Sequence, residues 1–192
     1  MQINKKTRYV VFTGVFSLLA IVLYFIEIPL FSGYLKVDLS DLPALLAGIM
    51  FGPAAGVTVE LIKNLVHVAF KGLGETFGYG DLMNFIVGVA VVVPFSSVMR
   101  LMLRKKRGIA IASLLSGLAG LIVMVAAGVI GNYLLAPPYF KALLHISMDG
   151  AALWSAIGMA TLLNLIKSVM LAILVPPILI ATKKYFIQLV RE

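Results

Sequence analysis

Apolar residues run along this chain in long blocks separated by short polar breaks, with no sustained alternation from one position to the next. Several blocks reach the ~20 residues an α-helix needs to cross a ~30 Å hydrocarbon core. The block 109–136 is apolar on every side, and only a helix carries such a segment through lipid, because its backbone hydrogen bonds close internally. A membrane barrel needs ~10-residue segments of alternating polarity, which do not occur here. The pattern predicts an all-α membrane protein in which residues 1–192 form one domain with six transmembrane helices, at 8–26, 42–51, 54–70, 82–103, 109–136 and 158–186.

The breaks define these bounds. The first helix ends ahead of Pro29, since the residue before a proline is driven out of the α region, and a loop over 27–40 follows. Gly52-Pro53 separates the second helix from the third, with proline suited to a first helical position. The second helix has only about ten apolar residues, roughly 15 Å. It cannot cross unaided unless flanking residues contribute or the loop before it dips inward. Residues 71–81 are glycine-rich and polar, Pro94 predicts a kink in the fourth helix, 137–156 reads as a longer loop, and Pro176-Pro177 falls late in the sixth helix. The basic start followed by an apolar stretch mimics a signal peptide, but 10–26 is long enough to span and no A-x-A-like site precedes the next segment. The segment reads as a retained first helix.

Composition agrees with this class: 61% of residues are hydrophobic and 12% charged, against roughly 25% charged in soluble domains. Cysteine is absent, which excludes disulfides, thiolate chemistry and cysteine metal sites. The net charge of +8 is not a nucleic-acid signature, because no basic run is interleaved with aromatics on a soluble face. It follows topology instead. Lys5, Lys6, Arg8, Arg100, Arg104, Lys105, Lys106, Arg107, Lys183, Lys184 and Arg191 fall on one side of the predicted spans, whereas Lys36, Lys71 and Lys141 fall on the other. Lys and Arg collect in short cytoplasmic segments, so both termini are expected in the cytoplasm. Glu27, Asp38, Asp41, Glu75, Asp81 and Asp149 cluster on or near the outer loops and make the outer mouth polar.

Polar side chains at lipid depth face the protein interior or a cavity. Glu60, Lys63, Asn64 and His67 recur at spacings of three and four on one face of the third helix. They fit either internal pairing or ligand contact. Asn164, Lys167 and Ser168 form a second cluster, with Lys167 some six to nine residues from the outer end of its helix, ~9–14 Å, which is far for snorkelling. A ligand or a counter-charge, such as Glu60, explains it. Asn84 and Asn132 are isolated amides that fit a helix-end role or a flat heterocycle with alternating C=O and N–H groups. Tyr34, Tyr79, Tyr133, Tyr139 and Trp154 gather near the outer boundary, where most aromatics act as interface anchors. Thr13 and Ser17, with Gly14 and Ala20 nearby, form a small-xxx-small patch for close helix approach, either within the chain or to a separate membrane subunit.

No P-loop, G-x-G-x-x-G or H-E-x-x-H motif occurs, and no Ser/His or paired-Asp arrangement supports a hydrolase, so no enzymatic role is expected. A stand-alone ion- or proton-coupled carrier, with Glu60, Lys63, His67 and Lys167 as a relay, is a separate reading. The lack of internal repeats weighs against it.

Several stretches together resemble the substrate-binding S components of energy-coupling factor (ECF) vitamin transporters, and within that family the riboflavin-specific type. They are Asp38-Leu-Ser-Asp41-Leu-Pro43, Phe51-Gly-Pro53-Ala-Ala-Gly56, Glu60-Leu-Ile-Lys63-Asn64-Leu-Val-His67, Asp81-Leu-Met-Asn84, Asn132-Tyr133 and Asn164-Leu-Ile-Lys167, in order over nearly the whole chain. Asp81 stands where a glutamate is common, and Thr13 and Ser17 where the family often has two alanines. The resemblance implies a multi-pass protein of the prokaryotic plasma membrane that binds riboflavin from outside as cargo, with no cofactor. It further implies inward delivery by toppling in the bilayer, coupled to a transmembrane scaffold subunit and two cytoplasmic ATPases. Asn132, Asn164 and Lys167 are then the expected contacts to the polar edge of the ring, joined by Asn84 and Tyr133. Asp38 and Leu39 belong to a lid over 38–43, and Thr13, Gly14 and Ser17 to the docking face.

The absence of native cysteine makes the orientation directly testable. Lys105→Cys is expected to react with a membrane-impermeant maleimide only after the membrane is opened, and Leu73→Cys in intact cells. The reverse pattern contradicts the assigned orientation.

Overall fold

The computed structural model describes residues 4–26, 28–30, 35–74 and 77–182. Glu27, Tyr34, Glu75, Lys183, Lys184, Arg191 and the expected end of the last helix at 183–186 lie outside the described residues. Among the described residues there are six helices: α1 (Lys5–Phe25), α2 (Asp41–Phe51), α3 (Pro53–Lys71), α4 (Tyr79–Arg104), α5 (Ile109–Leu144) and α6 (Gly150–Ala181). Between α1 and α2 lies a short antiparallel ribbon of β1 (Ile28–Leu30) and β2 (Leu35–Val37), with Ile28 opposite Val37.

Among the described residues four helices, α1, α4, α5 and α6, are long and apolar enough to cross a membrane. The chain is a multi-pass membrane protein. The 11-residue α2 reaches only about 16 Å, and Pro43, Ala44, Leu45, Ala47, Gly48, Ile49 and Met50 along it are all buried. It is a half-length helix in the middle of the bundle. Its close neighbours require small residues: a Cβ on Gly56 would fall 2.4 Å from Val92 Cγ1 and 2.7 Å from the Ala44 carbonyl. At its C-terminal end the chain reverses through Gly52, whose φ of 108° favours glycine, directly into Pro53 of α3. Arg100 Nη1 donates to the Ile49 and Met50 carbonyls at 2.7 and 2.9 Å, satisfying acceptors that a helix end leaves open.

Tyr9 and Phe12 pack their rings on Phe51 at this same end. The start of α1, the α2–α3 elbow and the basic turn of Arg104 to Arg107 therefore share one end of the bundle. At the opposite end Tyr24, His67 and Asp81 join the ends of α1 and α3 to the start of α4. The Tyr24 hydroxyl donates to Asp81 Oδ1 at 3.1 Å, His67 Nδ1 lies 2.6 Å from the same oxygen, and the Tyr24 and His67 rings stack at 4.0 Å.

Two expectations change. Residues 137–144 continue α5 through Pro137 and Pro138, and α6 already begins at Gly150, so the predicted 137–156 loop shrinks to a short connection. Proline's fixed φ is compatible with helix, and its missing donor is tolerated in membrane helices where neighbours satisfy the freed carbonyls. The loop before α2 contains paired backbone in β1 and β2, which its short, mixed sequence did not signal.

The interior is held by charge as well as by packing. Lys63, fully buried on α3, pairs with Asp41 at the start of α2 and with Glu60 Oε2 at 2.8 Å, and donates to Ser40 Oγ at 2.8 Å. Lys167 of α6 lies 3.0 Å from Asp41 Oδ2 and 3.2 Å from Asp38 Oδ2. Gly88 of α4 makes room for the Glu60 carboxylate, since a Cβ there would sit 2.2 Å from Oε2. Removing one partner of such a pair leaves an uncompensated buried charge, so Lys63→Met is expected to cost about 3–5 kcal/mol of unfolding free energy in detergent. Glu60→Gln, which keeps the shape, is expected to cost less. A Lys63→Met protein within about 1 kcal/mol of wild type contradicts this role for the network.

Candidate ligand-binding site

A cavity of about 490 Å³ opens at the end of the bundle opposite the basic turn. Its volume falls in the ~300–1,000 Å³ range of small-molecule sites. The wall is formed by Met83, Asn84 and Val87 of α4, Asn132 of α5, and Ala160, Leu163, Asn164 and Lys167 of α6. Tyr24, Val37, Asp38, His67, Tyr79 and Asp81 and the glycine-rich stretch at Gly72 and Gly74 complete the lining.

Specific neighbours hold Asn132 and Lys167. Asn132 is well inside the 36-residue α5, and its Nδ2 donates to the Gly128 carbonyl one turn back at 2.7 Å. Its Oδ1 accepts from the Tyr79 hydroxyl at 3.0 Å. Tyr79 is itself buried between Tyr139 and Phe140, each with its ring centre 5.1 Å away, both on the turns of α5 beyond the two prolines. Asn164, 8% exposed, projects from the middle of α6 toward Gly128, where a Cβ would lie 2.4 Å from its Nδ2. The Asn84 Oδ1 is buried with no hydrogen-bond partner among the described residues. Lys167 has three N–H donors, and two face Asp38 and Asp41, so one remains for the cavity. The site thus combines apolar walls with a few convergent amides and one lysine. It can bind a small amphiphilic molecule that presents both hydrogen-bond donors and acceptors. Among the described residues no cluster of His and acids could hold a metal ion.

Of the residues singled out in the sequence, Asn84, Asn132, Asn164, Lys167 and Asp38 converge on this cavity. Leu39 does not: it lines a separate space of about 50 Å³ with Leu23 and Met170. Tyr133 is 51% exposed and packs on Trp154 with ring centres 5.8 Å apart, away from the cavity. The counter-charges of Lys167 are Asp38 and Asp41, where Glu60 had been the suggested partner. Thr13 and Ser17 are buried in a stripe with Ala20 and Tyr24 that packs within the chain, whereas the adjacent Gly14 is exposed. Tyr79, one of the aromatics near the outer boundary, is buried and donates to Asn132 Oδ1. Tyr24 was not singled out, although Thr13, Ser17, Ala20 and Tyr24 share the helical spacing that signals one face.

Fold and site together define a helical membrane protein with a ligand cavity enclosed by its own helices. The family model described as "ECF transporter, substrate-specific component" matches residues 8–179, and the chain belongs to this family of transporter subunits. It is 32% identical over 188 residues to the riboflavin transporter FmnP of Bacillus subtilis (strain 168), covering 95% of this chain and 96% of that protein. It is 39% identical over 95 residues to the riboflavin transporter RibU of Staphylococcus aureus (strain TCH60), covering 48% and 47% respectively. Among solved structures it is similar to the S component of a bacterial ECF transporter, with a TM-score of 0.72 and 26% identity over 95% of this chain and 98% of the other. ThiT from Listeria monocytogenes, at 20% identity and a TM-score of 0.61 over 95% of this chain and 99% of that one, shares the fold.

Proposed function

We propose that this chain is the riboflavin-binding subunit of an ECF-type importer in a prokaryotic plasma membrane. The observation that carries the reading is the cavity on which Asn84, Asn132, Asn164 and Lys167 converge from three helices. Relatives named as riboflavin transporters support the choice of ligand. An isoalloxazine ring has a polar edge of alternating C=O and N–H groups, and an amide matches such an edge because it offers both a donor and an acceptor. Asn132, Asn164 and the third proton of Lys167 take that edge, and the orphan Asn84 oxygen takes a hydroxyl of the ribityl chain. Met83, Val87 and Leu163 cover the ring faces. Asp38 borders the bound ligand from the segment leading into α2, with Leu39 behind it.

The cavity opens outward in this reading, because the opposite end carries the basic turn and basic residues collect on the cytoplasmic side. All six helices are embedded in the bilayer, α2 as a half-span, and both chain termini are cytoplasmic. Uptake is driven by ATP hydrolysis on two cytoplasmic subunits, joined through a transmembrane scaffold subunit. The chain performs no chemistry on its ligand.

Quenching of flavin fluorescence by the purified protein tests the site. Losing a ligand hydrogen bond or the lysine contact removes about 1–3 kcal/mol, so Asn164→Ala and Lys167→Ala are each expected to weaken riboflavin binding roughly 5- to 150-fold. Unchanged affinity in both variants contradicts the assignment. Reconstituted alone in liposomes, the chain is expected not to accumulate riboflavin under an ion gradient. Accumulation without the ATPase subunits contradicts the proposed energy coupling.

A further inference from the structure

Gly128 touches both central asparagines of the cavity. Its carbonyl accepts from Asn132 Nδ2 at 2.7 Å, and the space its missing Cβ leaves is occupied by the Asn164 amide, whose Nδ2 would lie 2.4 Å from that atom. The Tyr79 hydroxyl fixes the same Asn132 amide from its other end by donating to Oδ1 at 3.0 Å. With nitrogen committed to one neighbour and oxygen to another, the amide of Asn132 cannot flip without losing both bonds. Each end keeps hydrogen-bonding capacity, one N–H and one lone pair, in a known direction. Val87 Cγ1 would be the next nearest atom to a Cβ at 128, at 3.6 Å, an ordinary contact distance. The Asn164 amide is therefore the group that an added methyl displaces.

We propose that Gly128 and Tyr79 are positioning residues for ligand recognition: together they fix where the Asn164 amide sits and which way the Asn132 amide points, and so set the donor and acceptor order read by the cavity. This deepens the riboflavin reading and rests on it. Gly128 is not among the residues lining the cavity, whereas Tyr79 is. Gly128 acts through the seat it leaves empty and through its carbonyl, and Tyr79 through its hydroxyl, held in place by Tyr139 and Phe140.

The test is riboflavin binding by fluorescence quenching, with the absorption band shape of bound flavin as a second readout. Gly128→Ala is expected to weaken binding about tenfold or more, as for the loss of a hydrogen-bonding amide contact, and to return the bound spectrum toward that of free flavin. Gly158→Ala, on α6 with no atom within 4 Å of the added methyl, is the control expected to bind as wild type. The positioning role is isolated by a double-mutant cycle. In an Asn164→Ala background, where no amide remains to be displaced, Gly128→Ala is expected to add less than about twofold. Full additivity overturns the proposal. Tyr79→Phe keeps the ring packing and is expected to weaken binding roughly three- to tenfold. In an Asn132→Ala background Tyr79→Phe is expected to add less than about twofold, and this second cycle decides the matter if Gly128→Ala does not fold. Wild-type affinity in Gly128→Ala and Tyr79→Phe overturns the positioning role while leaving the riboflavin reading intact. A wild-type protein that does not bind riboflavin overturns both.

Discussion

The charge network around Lys63 is the constraint on which the rest of the structure depends. Asp38, Asp41 and Glu60 face Lys63 and Lys167 in a space where none of the five is more than 8% exposed. A single charge at that depth is costly, and the attraction between opposite charges offsets the cost only when each has a close partner. The arrangement therefore forces three separated parts of the chain, the segment entering α2, the middle of α3 and the middle of α6, into one place. It explains why α2 is short: its first residue, Asp41, has to lie beside two lysines deep in the bundle. It also explains why α4 carries Gly88, since the Glu60 carboxylate occupies the position of a side chain there.

The network and the cavity share Lys167 and Asp38. The ammonium is held between two carboxylates while the residue also lines the cavity, so the element that stabilises the interior also positions a group at the candidate site. The asparagines are held independently, by Gly128 and by Tyr79. A binding group is useful for selectivity when its own geometry is locked by neighbours. Here those neighbours are Gly128 in α5 and Tyr79 at the start of α4, the latter packed by Tyr139 and Phe140 of the α5 turns beyond Pro137 and Pro138.

Helix positions were largely legible in the sequence because the apolar blocks and their Gly and Pro breaks report directly on lipid exposure and turn geometry. The cavity was half legible. Asn84, Asn132, Asn164 and Lys167 stand out because an amide or a charge within an apolar block is costly and must have a reason. What could not be read was pairing over long sequence separation. Nothing local to Asp41 indicates that it meets Lys63 and Lys167, and nothing local to Tyr79 indicates Asn132. Pro137-Pro138 suggested a helix end because proline usually breaks a helix in water, whereas a membrane bundle tolerates it. Thr13 and Ser17 were legible as a close-packing face, but small residues pack equally well against the same chain and against a partner.

The central claim is that riboflavin lies between α4, α5 and α6 with its polar edge against Asn132, Asn164 and Lys167. Structure determination of the protein saturated with riboflavin tests it most directly. The account predicts ring density in this cavity with the carbonyl and N–H edge within hydrogen-bond distance of those three side chains. Flavin density elsewhere, or with its dimethylbenzene edge turned toward the asparagines, contradicts it.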